Sequence, residues 1–263
     1  MNTIDFSREI RRTSLEIVHA CGGSHISSSL SIADILAVLY RDVMKTDSAN
    51  PNWEMRDRFI LSKGHATAAL YSALMLRGFV GIKELKTYGL NGSLFMNHAS
   101  HKVPGVEFST GALGHGLPIG VGMAVAAKYR KLNHRIFVLV SDGEIAEGTT
   151  WEAALFANHH QLDNLTVIVD FNNLQSLDTV SNTLEIQPLS EKFIALGWVA
   201  KDVDGHNHDE LRKALKETPK KPNLICAHTT KGKGVSFMEG LVEWHYKCPS
   251  IQELSIALEE LNA

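Results

Sequence analysis

Two apolar segments of the chain each end in residues whose side-chain oxygens can bind a metal ion. Residues 136–140 run into Ser-Asp-Gly at 141–143, and residues 166–169 run into Asp-Phe-Asn-Asn at 170–173. Both segments are predicted strands, and in open α/β sheets ligands bind at the carboxyl ends of the strands. Carboxylate and amide oxygens suit Mg²⁺ or Ca²⁺, and Gly143 lets the backbone approach a phosphate closely. The pattern therefore predicts a metal-bridged diphosphate site at this edge of a sheet.

Either segment end alone is also typical of an ordinary surface turn, because Asp and Asn are common turn formers. Two such ends together, with the motifs described below, favour the ligand site over two unrelated turns. For Asn173 we keep the simpler interpretation of turn chemistry.

The rest of the chain alternates predicted helices with predicted strands. Strands are predicted at 58–61, 136–140, 165–169, 198–203 and 223–228. Helices are predicted at 5–20, 31–40, 66–76, 117–132, 149–161, 190–196 and 208–217, with a helical tail from about 250. Residues 22–29 are predicted to form a loop, with Ser31 capping the next helix. The alternation predicts one α/β domain over residues 1–263, a mostly parallel sheet flanked by helices in three layers.

Composition narrows the classes of function. The formal net charge of −3 gives no basic field for nucleic acid or an anionic membrane. Three scattered cysteines, Cys21, Cys226 and Cys248, indicate reduced thiols in a cytoplasm rather than a disulfide framework. We expect no signal peptide, since a basic segment followed by an apolar one is missing at the start. We also expect no membrane span, since no apolar run approaches about 20 residues.

The spacing of Asp142-Gly143-Glu144 and Asn172-Asn173 resembles the fingerprint of thiamine diphosphate enzymes, with Ser141 where glycine is usual. Four further stretches place the resemblance in the transketolase family. They are ACGGSH at 20–25, LSKGHATAALY at 61–71, PGVEFSTGALGHG at 104–116, and TKGKGVSFME at 230–239 with Trp-His at 244–245. The match spans nearly the whole chain, and it corresponds to the N-terminal, diphosphate-binding half of a full transketolase.

The resemblance implies thiamine diphosphate and Mg²⁺, or Ca²⁺ or Mn²⁺ in its place, as cofactors. It assigns the metal to the side chains of Asp142 and Asn172 and to the backbone carbonyl of Leu174. A helix start favours an anion, so His65 is predicted to bind the diphosphate. The remaining predicted cofactor contacts are Gly111, Leu113, Gly143, Glu144 and His245.

The resemblance also implies catalytic residues. His25, His98 and His245 are expected around the reactive carbon and the first hydroxyls of the sugar, although His101 is an alternative to His98. Neutral imidazoles can pass protons near pH 7. Glu147 is expected in a proton network at a subunit contact, and Glu152 is a second candidate for the same network. We expect ordinary surface positions for five other histidines: His134, His159, His160, His206 and His208.

The implied activity is transfer of a two-carbon ketol unit from a ketose phosphate to an aldose acceptor. The pyrimidine-binding half, which supplies an activating glutamate and the sugar-phosphate clamps in this family, has no counterpart in the sequence. We therefore expect the partner to be a C-terminal transketolase subunit, in an α₂β₂ heterotetramer. The preferred sugars are left open.

Two other classes stay open at this point. One is a subunit of another thiamine diphosphate enzyme, such as a deoxyxylulose-phosphate synthase or the α subunit of a 2-oxo acid dehydrogenase. The other is a non-catalytic scaffold that keeps the fold, although such a scaffold would be expected to lose the metal ligands, and both Asp142 and Asn172 are present.

Overall fold

A five-stranded parallel sheet forms the centre of the molecule in a computed structural model, which describes residues 1–262. The strands are β1 (Arg58–Leu61), β2 (Ile136–Ser141), β3 (Leu165–Phe171), β4 (Val199–Asp204) and β5 (Asn223–His228). They lie in the order β1-β2-β3-β5-β4, and every neighbouring pair is parallel. β2 and β3 are buried along their whole length, which explains their nearly continuous apolar sequences.

Helices cover both faces of the sheet. They are α1 (Thr3–Cys21), α2 (Ile26–Ser31), α3 (Ala33–Val38), α4 (Thr67–Leu76), α5 (Ile82–Leu85), α6 (Gly116–Tyr129), α7 (Gly148–His159), α8 (Val180–Thr183), α9 (Leu189–Ala195), α10 (His208–Lys216) and α11 (Ile251–Asn262). Alternate residues of each strand point to opposite faces. Phe137 and Leu139 accordingly pack with α1, α3 and α4, whereas Val138 and Val140 pack with α6, α7 and α9.

The predicted α/β fold with a mostly parallel sheet between helical layers is confirmed, and all five predicted strands are present within two residues of their expected bounds. The predicted tail is helix α11, which packs against α1. Residues 79–110 and 176–189, for which the sequence predicts no helix or strand, each contain one helical turn, α5 and α8.

The predictions around residues 22–40 were wrong in part. Residues 26–31 form helix α2 instead of a loop, and Ser31 ends that helix instead of capping the next one. The Ser31 hydroxyl donates to Asp170 Oδ2 over 2.8 Å. The segment is serine-rich yet fully buried, so tertiary contacts satisfy hydroxyls that would favour turns in an isolated peptide. Beyond α3, residues Leu39–Val43 continue as a π-helical turn.

Among residues 1–262, no helix combines the length and the hydropathy needed to cross a lipid bilayer.

Candidate active site

A cleft of about 420 Å³ opens at the carboxyl edge of β2 and β3. Eleven of the predicted site residues line it: His25, His65, His98, Gly111, Leu113, Asp142, Gly143, Glu147, Asn172, Leu174 and His245. They come from seven separate parts of the sequence. The parallel sheet brings them together because the strands deliver their carboxyl ends to one edge.

The two predicted metal-binding tips touch each other. Asp142 Oδ2 accepts hydrogen bonds from the backbone N–H of Asn172 over 3.1 Å and of Asn173 over 2.7 Å. Asn172 Oδ1 accepts from the N–H of Leu174 over 3.1 Å. Asn173 is a left-handed turn residue with φ 61°, in agreement with the simple interpretation kept for it. The tips are therefore close enough to share one ion.

The electrostatics of Asp142 also fit a bound cation. Burial, followed by the nearby carboxylate of Asp170, raises the pKa of Asp142 to about 6. A divalent ion between this carboxylate and a diphosphate would neutralise both groups. Carboxylate, amide and backbone carbonyl oxygens are the ligands that Mg²⁺ prefers. The residues present thus fit a metal-bound diphosphate.

Behind the cleft, a buried ion pair joins Lys63 to Asp170, with 2.5 Å between Lys63 Nζ and Asp170 Oδ2. Asp170 also accepts from Ser31, Asn172 and Thr229. Burial alone would raise the pKa of Asp170, but Lys63 and these hydrogen bonds outweigh it and lower that pKa. Asp170 therefore holds four parts of the chain together, those that carry Lys63, Ser31, Asn172 and Thr229.

A second buried lysine, Lys231, holds the loop after β3. Its Nζ donates to the carbonyl oxygens of Leu174 and Gln175 over 3.2 and 3.0 Å, and lies 2.9 Å from His245 Nδ1. An ammonium can only donate, so His245 Nδ1 accepts and its Nε2 carries the proton. Burial, followed by Lys63, lowers the pKa of Lys231 to about 8.

Lys63 and Lys231 were not predicted as site residues, although both stand inside motifs of the resemblance. A signal was present, since each lysine directly precedes a glycine and Lys63 lies two residues before the predicted diphosphate ligand His65. The partner of Lys63 could not be read from the sequence, because Asp170 lies 107 residues away.

Four imidazole rings face one another across the cleft. The His25 ring centroid lies 5.0 Å from those of His65 and His245 and 6.4 Å from that of His98. Burial lowers the pKa of all four; for His25 the value is about 4 and for His245 about 3, with Lys231 contributing in both cases. The rings are neutral at pH 7. Tyr246, which the sequence analysis did not assign, packs edge-on against His25 and His245.

Backbone geometry fixes two of these histidines. His25 has a left-handed φ of 64°, and its N–H donates to the carbonyl of His245 over 3.0 Å. At Gly64 a Cβ would come within 2.7 Å of the Thr110 backbone. Only glycine allows this approach, which sets His65 beside the loop that carries Gly111.

The two candidate histidines, His98 and His101, differ in position. His98 lines the cleft, whereas His101 is exposed and bonds Ser109 through its Nδ1 over 2.8 Å. His115 is also exposed and does not line the cleft. Its Nδ1 lies 2.9 Å from the carbonyl oxygen of Leu113.

The predicted role of Glu144 needs correction. Its side chain is fully buried and does not line the cleft. The carboxylate accepts from the hydroxyl of Ser62 and from the N–H of Gly114 over 2.8 Å, while Ser141 Oγ accepts from the N–H of Glu144 over 3.2 Å. Glu144 therefore holds the glycine-rich turn in place instead of contacting a ligand.

Glu147 and Glu152 occupy different surfaces. Glu147 lines the cleft, and Glu152 lies outside it in a groove of about 470 Å³ between α6 and α7. The groove is mainly apolar, with Val125 and Phe156 exposed beside Glu152. The cleft and the groove are thus adjacent along α7.

Three of the five histidines expected at the surface lie elsewhere. His134 is buried. His206 Nδ1 and His208 Nε2 bond the buried Asp34 over 2.7 and 2.9 Å. His159 and His160 are exposed, as predicted. The error arose because Asp34, the partner of both histidines, is distant in sequence.

Comparison with known proteins agrees with this geometry. The family model described as "Transketolase, thiamine diphosphate binding domain" matches residues 4–256. Together with the parallel sheet and the cleft, this match defines the chain as a thiamine diphosphate-binding α/β domain. Its relatives are more specific, and the chain belongs to the transketolase family.

Two kinds of relative differ in length. The chain is 39% identical over 259 residues to an apulose-4-phosphate transketolase subunit of Phocaeicola vulgatus, covering 97% of this chain and 92% of that protein. It is 37% identical over 244 residues to human transketolase, covering 92% of this chain but 39% of that protein.

A solved structure shows the same contrast. The transketolase of Campylobacter jejuni superposes with a TM-score of 0.94 at 33% identity, over 100% of this chain and 43% of that one. The chain thus spans about two fifths of the full-length transketolases, but nearly the whole of the Phocaeicola vulgatus subunit.

Proposed function

We propose that this chain is the diphosphate-binding subunit of a two-subunit transketolase, which transfers a two-carbon ketol unit from a ketose phosphate to an aldose. The observation that carries the proposal is the meeting of the Asp142 and Asn172 tips with four neutral histidines in one cleft. Ketol transfer requires the protein to hold the diphosphate of the cofactor and to move protons to and from the hydroxyls of the sugar. We place the protein in the cytoplasm.

The metal and the diphosphate would be held at the end of the sheet. Asp142, Asn172 and the Leu174 carbonyl would bind Mg²⁺, while His65 and Gly143 would contact diphosphate oxygens. Lys231 adds positive charge beside the same loop. The backbone of Gly111 and Leu113 would contact the aminopyrimidine ring. The chemistry that thiamine diphosphate supplies when bound is a nucleophilic carbon for carrying the two-carbon unit.

The histidines would handle the protons of the sugar. Because the pKa of His25 and of His245 is below 7, both rings are neutral at pH 7 and can bond a hydroxyl, and the His25 ring can also accept a proton. His245 presents its Nε2–H, since Lys231 occupies Nδ1. The His98 ring lies farther from His25 than the other two rings do. It packs against Gly111, where an added Cβ would lie 3.4 Å from the ring. The three rings together would orient donor hydroxyls at the cleft mouth.

The partner would complete the site from outside the chain. A C-terminal subunit with pyrimidine-binding and C-terminal domains would supply the activating glutamate and the phosphate clamps, in an α₂β₂ assembly. The groove between α6 and α7 supports contact between two copies of this chain. Gly122 leaves open space there, and Val125 and Phe156 are exposed. Glu147, between groove and cleft, would then lie at the subunit contact.

Cofactor binding tests the metal site. We expect calorimetry to detect thiamine diphosphate binding with Mg²⁺, by the chain alone or with its partner, and EDTA to abolish it. Asp142→Asn and Asn172→Ala should each weaken binding by at least about 100-fold, since loss of even an outer-shell partner costs 10–100-fold. Asp163→Asn, an exposed carboxylate change, is the matched control. Binding that is absent with and without the partner would indicate the scaffold.

Catalysis tests the choice of enzyme. Co-expression with a candidate C-terminal subunit should give ketol transfer that neither chain shows alone. His25→Ala and His245→Ala in the complex should lower kcat by about 100-fold or more, as expected for lost proton transfer, while thiamine diphosphate remains bound. Pyruvate decarboxylation without ketol transfer would instead assign the pair to another thiamine diphosphate enzyme.

A further inference from the structure

A second group of metal-binding side chains lies on the neighbouring strands β4 and β5, away from the cleft. Cys226 and His228 are two residues apart on β5, so their side chains lie on the same face of the sheet. Asp202 on β4 is the registered neighbour of Cys226. The strand register alone therefore places a thiol, an imidazole and a carboxylate on one face.

The three donor atoms are close together. Cys226 Sγ, His228 Nε2 and a carboxylate oxygen of Asp202 all lie within 4.8 Å of one another. His228 Nε2 is 4.0 Å from Cys226 Sγ and 2.7 Å from Asp202 Oδ1. In a tetrahedral zinc site, metal–ligand distances of about 2.0–2.3 Å place the ligand atoms roughly 3.3–3.8 Å apart. Small rotations of the imidazole and the carboxylate would reach that arrangement.

The three side chains of this group differ in their exposure to solvent. Cys226 is fully buried, whereas the side chains of His228 and Asp202 are 47% and 50% exposed. The ring of His228 packs against Phe171, with centroids 5.3 Å apart, which supports the ring from one side. An ion could therefore enter from solvent between the side chains of Asp202 and His228 and reach the Cys226 sulfur.

The donor set selects the metal. Thiolate and imidazole ligands favour Zn²⁺ and related ions, whereas Mg²⁺ and Ca²⁺ take oxygen ligands. We propose that Asp202, Cys226 and His228 bind a zinc-class divalent ion, separate from the oxygen site at Asp142 and Asn172. Coordination replaces the thiol proton of Cys226, which leaves to solvent, and water completes the fourth position. The ion ties the edge strand β4 to β5.

Cobalt titration of the metal-free full-length chain tests the proposal without any enzymatic assay. We expect one equivalent of Co²⁺ to produce a thiolate-to-cobalt charge-transfer band, and one equivalent of Zn²⁺ to remove it. Mg²⁺ at the same concentration should leave the band unchanged. Absence of the band, or its displacement by Mg²⁺, would overturn the proposal.

Variants locate the ion. Cys226→Ser should abolish the charge-transfer band, and His228→Gln should weaken Co²⁺ binding at least tenfold. Cys21→Ser, Cys248→Ser and Asp142→Asn should retain it, because these residues lie outside the group. Since Cys226 is buried, circular dichroism must show that its variant folds; His228→Gln changes a half-exposed side chain and provides the second test. A band that persists in both variants would show that cobalt binds another thiol.

Discussion

The carboxyl ends of β2 and β3 carry two buried carboxylates that differ in their partners. Asp170, on β3, has the buried ammonium of Lys63 at 2.5 Å, and its pKa is lowered. Asp142, just beyond β2, accepts backbone hydrogen bonds, and its pKa is raised to about 6. The first carboxylate is neutralised by an ion pair within the chain, whereas the second fits a cation bound from solution.

This difference distinguishes a carboxylate that is paired within the chain from one that we propose as a metal ligand. A buried charge is stable when an opposite charge and hydrogen bonds accompany it. Asp170 meets that condition through its own chain, so its role is to join β3 to the loop that carries Lys63. Asp142 would gain an opposite charge from a bound ion, as expected for a metal ligand. Sequence pattern alone does not distinguish them, since each follows an apolar strand.

The largest expected effect comes from breaking the Lys63 pair. Asp170→Asn keeps the shape of the side chain but leaves the Lys63 ammonium buried without its ion-pair partner. Removing one partner of a buried pair costs about 3–5 kcal/mol, and urea unfolding would measure this loss in the free energy of unfolding.

The matched variant is Asp142→Asn, made at the other carboxylate. The substitution loses the hydrogen bonds that one carboxylate oxygen accepts from backbone N–H groups. It also removes a buried negative charge that has no ion-pair partner, a cost that the raised pKa of Asp142 reflects. Because these two effects oppose each other, we expect its free energy of unfolding in EDTA to change by less than about 1 kcal/mol. Equal losses in Asp142→Asn and Asp170→Asn would contradict the contrast between the two strand ends.

An intermediate effect is expected at Asp34, a third buried carboxylate far from the cleft. Burial alone would raise its pKa, but Arg11, His206 and His208 hold the pKa of Asp34 well below its ordinary value. Asp34→Asn should cost about 3 kcal/mol at pH 7, the lower end of the range for a buried ion pair that loses one partner, because the side chains of Arg11 and Asp34 keep 8% and 7% exposure to solvent.

The pH dependence has a defined sign. A lowered folded-state pKa gives stability that is present above the unfolded value of about 3.9 and lost as the pH falls through the folded value. The difference in unfolding free energy between wild type and Asp34→Asn should shrink as the pH falls below about 4. Asp209→Asn, at an exposed carboxylate, should show no such change. A difference that grows as the pH falls below about 4 would reverse the assignment.

The smallest effect concerns a single hydrogen bond to Asp170. Ser31→Ala removes the 2.8 Å bond from Ser31 Oγ to the carboxylate, and we expect a loss of about 1.5 kcal/mol in unfolding free energy. The exposed Ser181→Ala should change it by less than about 0.5 kcal/mol. If Ser31→Ala matches that control, Lys63 and the other donors suffice to hold Asp170.

Much of the fold could be predicted from local patterns. The apolar runs of β2 and β3 are long and uninterrupted, so their strand character and parallel pairing follow from burial on both faces. Helix α2 could not be predicted, because its serines favour turns until a buried environment satisfies their hydroxyls. Ser31 illustrates this, since its acceptor Asp170 lies 139 residues away.

In the candidate site too, some residue positions could be predicted from the sequence and others could not. The cleft positions of Asp142, Asn172 and His65 were predicted because each stands at the end of a predicted strand or the start of a predicted helix. His25, His98 and His245 were predicted through the family resemblance. Glu144 was misassigned, since its sequence position beside Asp142 gives no sign that the side chain turns inward toward Ser62. Proximity in sequence predicts a shared edge of the sheet, but not the direction of a side chain.

The sequence by itself determined the α/β architecture and the family, since strand length, alternation and motif spacing are local properties that survive without a partner. Only the tertiary structure decided which buried charges are neutralised within the chain, which imidazoles stay neutral, and which thiol lies beside a histidine and an aspartate. Those properties depend on burial and on partners as distant as Lys63 and Asp170, and burial sets the free energy of a charge far more than its neighbours in sequence do.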